Sequence, residues 1–282
     1  MKNNFSFLSE PGIGHRDDGT INPNLTHYGI NDYYDSEHET RTKFDSIEEL
    51  KSKRIVLVAG DSFTFGDGVL YKDTYSNILK ERFFTSDDVI VINIGYPGIS
   101  NSNILQRVHM WLNVLSDNIE TVIVGWSFSS RRSHFFDNDY TRNFDNSLYE
   151  IGQDNSVFKY NFNISSSLPR HTFGYDAKTV QKYMSRLNTR VNDQREFEVS
   201  LLMMKYMASF HNFKLYWWGW LLHEYHTRDR HLLIKTFSDK NSKFIDIDAN
   251  VGLLERISKD DGHWTANGHH AAANIIIEYL KK

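Results

Sequence analysis

The chain has 282 residues, a hydrophobic fraction of 40 % and no cysteine. This length predicts one domain with an appendage or insertions, and the apolar content excludes a chain that is disordered throughout. A formal net charge of −4, without any long basic run, argues against a nucleic-acid-binding protein, and the lack of cysteine excludes disulfides and thiolate metal sites.

No stretch approaches the ~20 apolar residues that span a bilayer, and the first residues lack the apolar core of a secretory signal. We therefore expect no membrane partner and a location that is either cytoplasmic or associated with a virus particle. The sequence favours neither compartment and indicates no oligomeric state.

Residues 1–50 are polar and rich in turn-forming residues. They predict an N-terminal extension that packs on the core in irregular structure. Its tyrosines Tyr28, Tyr33 and Tyr34 are expected to dock on the main domain, which comprises residues 51–282.

Short apolar runs alternate with helical patterns in the main domain. The predicted strands are Ile55–Ala59, Val89–Ile94, Thr121–Val124, Lys214–Trp218 and Lys243–Ile247. The predicted helices are Asp73–Phe84, Ser102–Leu115, Asp176–Phe210, Arg228–Thr236 and Thr265–Leu280, of which Asp176–Phe210 is either one long helix or two with a break. This alternation predicts an α/β fold with parallel strands and right-handed crossovers. We expect a flavodoxin-like three-layer sandwich with five parallel strands in the order 2-1-3-4-5.

Residues 128–175 form a connection that is longer than an ordinary βα loop and rich in polar and aromatic residues. Because they follow the third strand, they are predicted to lie over its carboxyl end as a lid-like insertion. The second half of the long helix after them carries one apolar face, formed by Val199, Leu202, Met203, Tyr206 and Met207.

The first strand ends in Gly60-Asp61-Ser62, directly before a helical segment. A serine in such a turn lies at the carboxyl edge of the sheet, where open α/β sheets bind ligands, and faces the N–H groups of the following helix. It is a candidate nucleophile if a base is available. His263, in Asp260-Asp261-Gly262-His263 before the last helix, is the candidate base, and an upstream carboxylate would fix its tautomer.

These two stretches resemble the SGNH (GDSL-type) hydrolase superfamily, from about Arg54 to the end of the chain. The resemblance implies a flavodoxin-like fold and an esterase without a cofactor, in which Ser62 is the nucleophile and His263 the base. The family spacing D-x-x-H selects Asp260 as the third residue, and the variant D-x-H-W selects Asp261. We keep both, with Asp260 first.

The resemblance also implies an oxyanion site made by the N–H groups of Ser62 and Gly98 and by a side chain after the third strand. Family members have an asparagine there, whereas this chain has Ser127, whose hydroxyl is shorter and less rigidly aimed. Loss of one good donor typically lowers the rate by ~10²–10³. We expect a slow enzyme, a donor recruited from Asn101 or Asn103, or a chain that has lost catalysis.

Three residues of the same edge are predicted to contact substrate: Asp61, Trp126 and Arg131. An arginine at position 131 suits a carboxylate or an anionic sugar group, and an ion-paired surface role is the alternative. The histidines His223 and His226 lack the spacing of a helical zinc motif, so no metal is expected.

The sequence thus predicts a serine esterase that removes small acyl groups, acetyl above all, from a carbohydrate or a similar small-molecule ester. An O-acyltransferase acting on a glycan is a variant in which a sugar hydroxyl replaces water. A non-catalytic glycan-binding or structural module, for example of a phage particle, is the alternative from another class.

Overall fold

The computed structural model of the chain describes residues 33–35, 38, 40–97, 99–127, 190–219, 227–247, 252–257 and 262–282. The strands are β1 (Arg54–Gly60), β2 (Val89–Asn93), β3 (Ile119–Trp126), β4 (Lys214–Gly219) and β5 (Ser242–Phe244). They form one sheet in the order β2-β1-β3-β4-β5, and every neighbouring pair is parallel. The predicted five-stranded parallel sheet and its strand order are confirmed.

The helices cover both faces of this sheet. They are α1 (Ile47–Leu50), α2 (Ser62–Phe65), α3 (Tyr75–Arg82), α4 (Asn101–Leu115), α5 (Arg190–His211), α6 (Thr227–Phe237) and α7 (Ala266–Leu280). Helices α4, α5 and α6 share one hydrophobic core with the sheet, and α3 and α7 share the other. The described residues therefore form the three layers of the predicted α/β sandwich.

Alternate side chains of the central strands supply the two cores. In β1, Leu57 packs with the α4 side, whereas Val56 and Val58 pack with the α3 side. The same alternation places Trp217 and Trp218 of β4 in opposite cores, and both are buried. Successive side chains of a strand point to opposite faces, so a strand covered on both sides must be apolar throughout.

The segment after β1 differs from the sequence prediction. The predicted single helix from Asp73 is preceded by the separate short helix α2, which ends at Gly66 with a φ of 81°. A 3₁₀ turn, Tyr71–Asp73, then leads into α3. Glycine adopts this left-handed conformation without strain, and it reverses the chain immediately after the Ser62 turn.

Several predicted segments lie outside the described residues: 1–32, the insertion 128–175 and the first part of the long helix, 176–189. Within the extension, the Tyr34 ring lies 5.8 Å from the Phe65 ring and 6.1 Å from the Tyr96 ring. The division of the chain at residue 50 stays a prediction. Across the described ranges, no helix combines the length and apolar character needed to cross a membrane.

Helix α2 lies unusually close to the carboxyl edge of the sheet. A Cβ at Gly60 would lie 2.1 Å from Oγ1 of Thr64, and one at Gly95 would lie 2.5 Å from the backbone nitrogen of Phe65. No side chain fits at these distances. The two glycines thus allow α2 to contact the strand ends directly.

We predict that Gly95→Ala destabilises the protein by about 1–3 kcal/mol, because the new methyl group would have to displace the backbone of α2. The matched control is Gly252→Ala, since nothing lies within 4 Å of a Cβ at that position. The midpoints of urea unfolding measure both changes. Equal midpoints for the two variants would contradict the close approach of α2.

Candidate active site

Ser62 and His263 are in direct contact, although 201 positions separate them in the chain. Ser62 is the first residue of α2, and its Oγ lies 2.7 Å from Nε2 of His263. The His263 ring stacks on the Phe63 ring, with centroids 4.9 Å apart and an interplanar angle of 29°. The contact between Ser62 and His263 places a ring nitrogen within hydrogen-bond distance of the serine hydroxyl, as a serine–base pair requires.

The backbone around His263 is fixed from both sides. Its carbonyl accepts a hydrogen bond of 2.8 Å from the N–H of Ile257, within an antiparallel bridge between Arg256 and Trp264. The Trp264 side chain is buried, and Thr265 then caps α7. The segment before α7 is therefore tied to residues 255–257 on one side and to the helix on the other.

Four of the predicted site residues lie outside the described residues: Asp260, Asp261, Gly98 and Arg131. The carboxylate that orients His263, the second oxyanion donor and the anion-binding arginine therefore stay predictions.

A buried polar network lies behind Ser62. Asp61 is fully buried and caps α2, since its Oδ1 accepts a hydrogen bond of 3.1 Å from the N–H of Phe63. Its Oδ2 accepts a hydrogen bond of 2.7 Å from Oγ of Ser127. The amide of Asn101 pairs with the Ser127 backbone, accepting from the N–H at 2.8 Å and donating to the carbonyl at 3.2 Å.

Comparison with known proteins identifies the fold. The crystal structure of TesA matches with a TM-score of 0.50 and 14 % sequence identity, covering 81 % of this chain and 98 % of TesA. The chain has the SGNH hydrolase fold. A G-D-S-L family lipolytic protein from Veillonella parvula and the psychrotrophic esterase EstA from Pseudoalteromonas sp. each match with a TM-score of 0.44 and 14 % identity, over 81 % of this chain and 99 % and 97 % of their own. No family model and no curated protein matches the sequence.

Within this SGNH fold, Ser127 does not have the predicted oxyanion geometry. A serine hydroxyl has a single proton, and that of Ser127 is donated to Asp61. Its N–H is donated to Asn101. The structure thus places both donors of Ser127 in the buried network, where they hold the end of β3 against the Ser62 turn.

The alternative asparagines are also engaged in local contacts. Asn101 pairs with the Ser127 backbone, and Oδ1 of Asn103 accepts a hydrogen bond of 2.8 Å from Oγ of Ser100. Both side chains belong to the first turn of α4 and are buried.

Two of the predicted substrate contacts are placed in the interior. Asp61 is buried as the cap of α2, and Trp126 is fully buried in the core on the α4 side. The Trp126 ring meets the Phe197 ring edge to face at a centroid distance of 5.8 Å. The last residue of a central strand still packs against the helix layer, and for this reason Trp126 does not line the sheet edge as predicted.

The sequence analysis missed Arg41, a fully buried arginine at the other end of α2. Its guanidinium donates hydrogen bonds to the carbonyl oxygens of Phe65, at 2.7 Å, of Gly66, and of Val69, at 2.6 Å. It also lies 4.7 Å from the centre of the Phe65 ring. No motif marks this arginine, because it comes from the polar stretch before α1.

A second network joins α2 to the last helix. The hydroxyl of Tyr75 donates to Oγ1 of Thr64 at 3.0 Å, and the Tyr75 N–H donates to Nδ1 of His269 at 3.2 Å. Burial, together with the positive charge of Arg41, lowers the pKa of His269 from 6.5 to about 3. His269 is therefore a neutral structural histidine. Within the described part of the chain, no cluster of potential ligands could hold a metal ion.

The environment of Ser127 gives a test by substitution. We expect Ser127→Ala to lower the free energy of unfolding by about 1–3 kcal/mol, because Asp61 loses a buried hydrogen bond, with less than a tenfold change in kcat for 4-nitrophenyl acetate. Ser127→Thr keeps the hydroxyl and is the control. A fall of ~10²–10³ in kcat at unchanged stability would show instead that Ser127 is an oxyanion donor.

The buried His269 predicts a pH dependence of stability. Between pH 6.5 and about 3 the unfolded chain protonates this histidine and the folded chain does not, so stability falls as the pH is lowered. Urea unfolding should show that wild type loses about 2 kcal/mol more than His269→Asn between pH 7.5 and pH 5. Asparagine retains an acceptor for the N–H of Tyr75.

The control is His231→Asn, a change at an exposed position of α6, which should keep the wild-type pH dependence. If His269→Asn also kept the wild-type pH dependence of stability, His269 would be protonated in the folded protein.

Proposed function

We propose that the chain is a serine esterase that uses Ser62 as nucleophile and His263 as general base. The observation that carries this proposal is the 2.7 Å contact between Oγ of Ser62 and Nε2 of His263 at the carboxyl edge of the sheet. The match to TesA in fold and the esterase and lipolytic names of the other similar structures support the same class of reaction.

The reaction proceeds in two steps. His263 takes the proton of Ser62 as Oγ attacks the ester carbonyl carbon, and it returns that proton to the alcohol oxygen as the carbon–oxygen bond breaks. An acyl-serine remains. Water then gives a proton to His263 and attacks the same carbon, and His263 returns the proton to Ser62 as the acid leaves.

The oxyanion formed in both steps needs hydrogen-bond donors. The N–H of Ser62 belongs to the first turn of α2, where N–H groups have no partner within the helix. We assign it as one donor and the N–H of Gly98 as the second. With Ser127 engaged by Asp61, the side-chain donor of the family is missing, which favours a slow esterase.

The substrate we propose carries a small acyl group, acetyl above all, on a carbohydrate or a similar alcohol. Ser62 is only 3 % exposed, which favours a small acyl group at its hydroxyl. An aromatic content of 14 % is compatible with a sugar, because aromatic rings stack on apolar faces. Asp260 is the proposed partner of His263 and Arg131 the proposed contact for an anionic group on the substrate.

The primary test measures hydrolysis of 4-nitrophenyl acetate by wild type, Ser62→Ala and His263→Gln from pH 5 to 9. We expect both variants to fall to the uncatalysed background, because each removes one member of the serine–base pair. The controls are Ser209→Ala and His231→Gln, which change exposed residues of α5 and α6.

Two further experiments distinguish Asp260 from Asp261 as the partner of His263, and hydrolysis from acyl transfer. Asp260→Asn should reduce kcat far more than Asp261→Asn, and the reverse result would assign the third position to Asp261. Adding a sugar acceptor tests O-acyl transfer through formation of an acetylated sugar. Equal rates for wild type and Ser62→Ala, with acetylated glycans also left intact, would contradict an esterase and favour a non-catalytic glycan-binding module.

A further inference from the structure

Helix α5 has two apolar faces. Its inner face, Phe197, Leu201, Met204 and Ala208, packs against the sheet, and each of these residues is at most 1 % exposed. The opposite face is also apolar and is exposed: Val199 57 %, Leu202 56 %, Met203 46 %, Tyr206 63 % and Phe210 71 %. A surface helix normally presents polar residues to water, and a contiguous exposed apolar patch marks an interaction site. We call these five residues the outer stripe.

The outer stripe continues into an apolar groove. Helices α4 and α5 enclose about 420 Å³ between them, lined by Leu105 and Gln106 on one side and by Met203, Met207 and Phe210 on the other. The rings of Tyr206 and Phe210 stack at a centroid distance of 6.2 Å and form one continuous apolar surface. The patch is thus a ridge beside a groove, a shape that suits another helix.

The spacing of the outer stripe is symmetric along the chain. Its central row, Val199, Met203, Tyr206 and Phe210, has intervals of four, three and four residues, which read the same in both directions. When two copies of α5 run antiparallel, this row matches itself: Val199 lies opposite Phe210, and Met203 lies opposite Tyr206. Such self-complementarity is what a two-fold symmetric interface requires.

The lysine nearest the centre of this row does not oppose the pairing. Lys205 lies at the midpoint of the row in sequence, but its ammonium group is bound to the Asp239 carboxylate at 2.9 Å and to the Thr236 carbonyl at 3.1 Å. It is thereby directed toward α6 of its own chain. Two copies would therefore bring apolar side chains together without forcing two lysines into contact.

We propose that the outer stripe binds the outer stripe of a second copy of this chain and forms an antiparallel, two-fold symmetric dimer. Tyr206 and Phe210 from both copies would bury roughly 500 Å². This is about half of the ~1,000 Å² that a specific interface needs. The aliphatic side chains of the stripe supply further area. The interface lies on the helix layer and is independent of the proposed esterase activity.

Sedimentation equilibrium of the full chain tests the dimer. Wild type should be dimeric at micromolar concentration, and Tyr206→Glu should be monomeric, because the change places charges in the apolar centre of the pair. The matched control is Leu253→Glu, which alters an equally exposed leucine, 64 % against 63 %, outside α5. Circular dichroism verifies that both variants fold. A monomeric wild type, or a dimer that persists in Tyr206→Glu, would overturn the proposal.

Disulfide trapping tests the antiparallel orientation, since the chain has no cysteine of its own. A mixture of Val199→Cys and Phe210→Cys chains should form a cross-linked heterodimer on mild oxidation. Val199→Cys alone should not cross-link, because two antiparallel copies of that position lie about 16 Å apart along the helix. Efficient cross-linking of Val199→Cys by itself would show a parallel arrangement and overturn the proposed one.

Discussion

The geometry of the candidate active site depends on α2, a helix of four residues that would not be stable by itself. Short isolated helices are unstable in water because nucleation fixes several residues for one hydrogen bond. Here the buried carboxylate of Asp61 caps the N-terminus, and the buried guanidinium of Arg41 binds carbonyl oxygens at the C-terminal end. Both charges have the sign that the helix dipole favours at that end. Two buried ions of opposite charge thus hold the first turn, and Ser62 with it.

The other contacts of α2 limit its position relative to the sheet. Asn93 at the end of β2 donates to the Thr64 carbonyl at 2.7 Å, and Tyr75 donates to the Thr64 hydroxyl at 3.0 Å. Gly60 and Gly95 leave no free space behind the helix. Since buried polar groups must be paired, a shift of α2 would break several hydrogen bonds at once. The serine is therefore held in place before any substrate arrives.

The sheet could be predicted from local signals, and the serine–histidine pair from the resemblance of two distant stretches to one superfamily. The β-branched runs specify buried strands, and Gly60-Asp61-Ser62 with His263 forms a motif with a known order. The role of Ser127 could not be read from its position, because it depends on Asp61 and Asn101, which come from other strand ends. A motif gives the position of a residue in the fold, but it does not show which distant group accepts the hydrogen bond of that residue.

The apolar spacing of α5 could be predicted from the sequence, but the side of the helix that is buried could not. The sequence predicted one apolar face of α5, formed by Val199, Leu202, Met203, Tyr206 and Met207. All of these residues except Met207 are exposed, and Phe197 and Leu201 pack against the sheet instead. When both faces of a helix are apolar, the periodicity alone cannot show which face is inside. Only the position of α5 against the sheet decides this. The face that remains outside then requires its own explanation.

The outer stripe lies away from the Ser62–His263 pair. Helix α5 ends at His211, three residues before β4 begins at Lys214, so the stripe lies toward the amino edge of the sheet. Ser62 and His263 lie at the carboxyl edge. In a parallel sheet with helical crossovers, these two edges are distinct surfaces. The proposed ester chemistry and the proposed dimer therefore use different surfaces and different side chains.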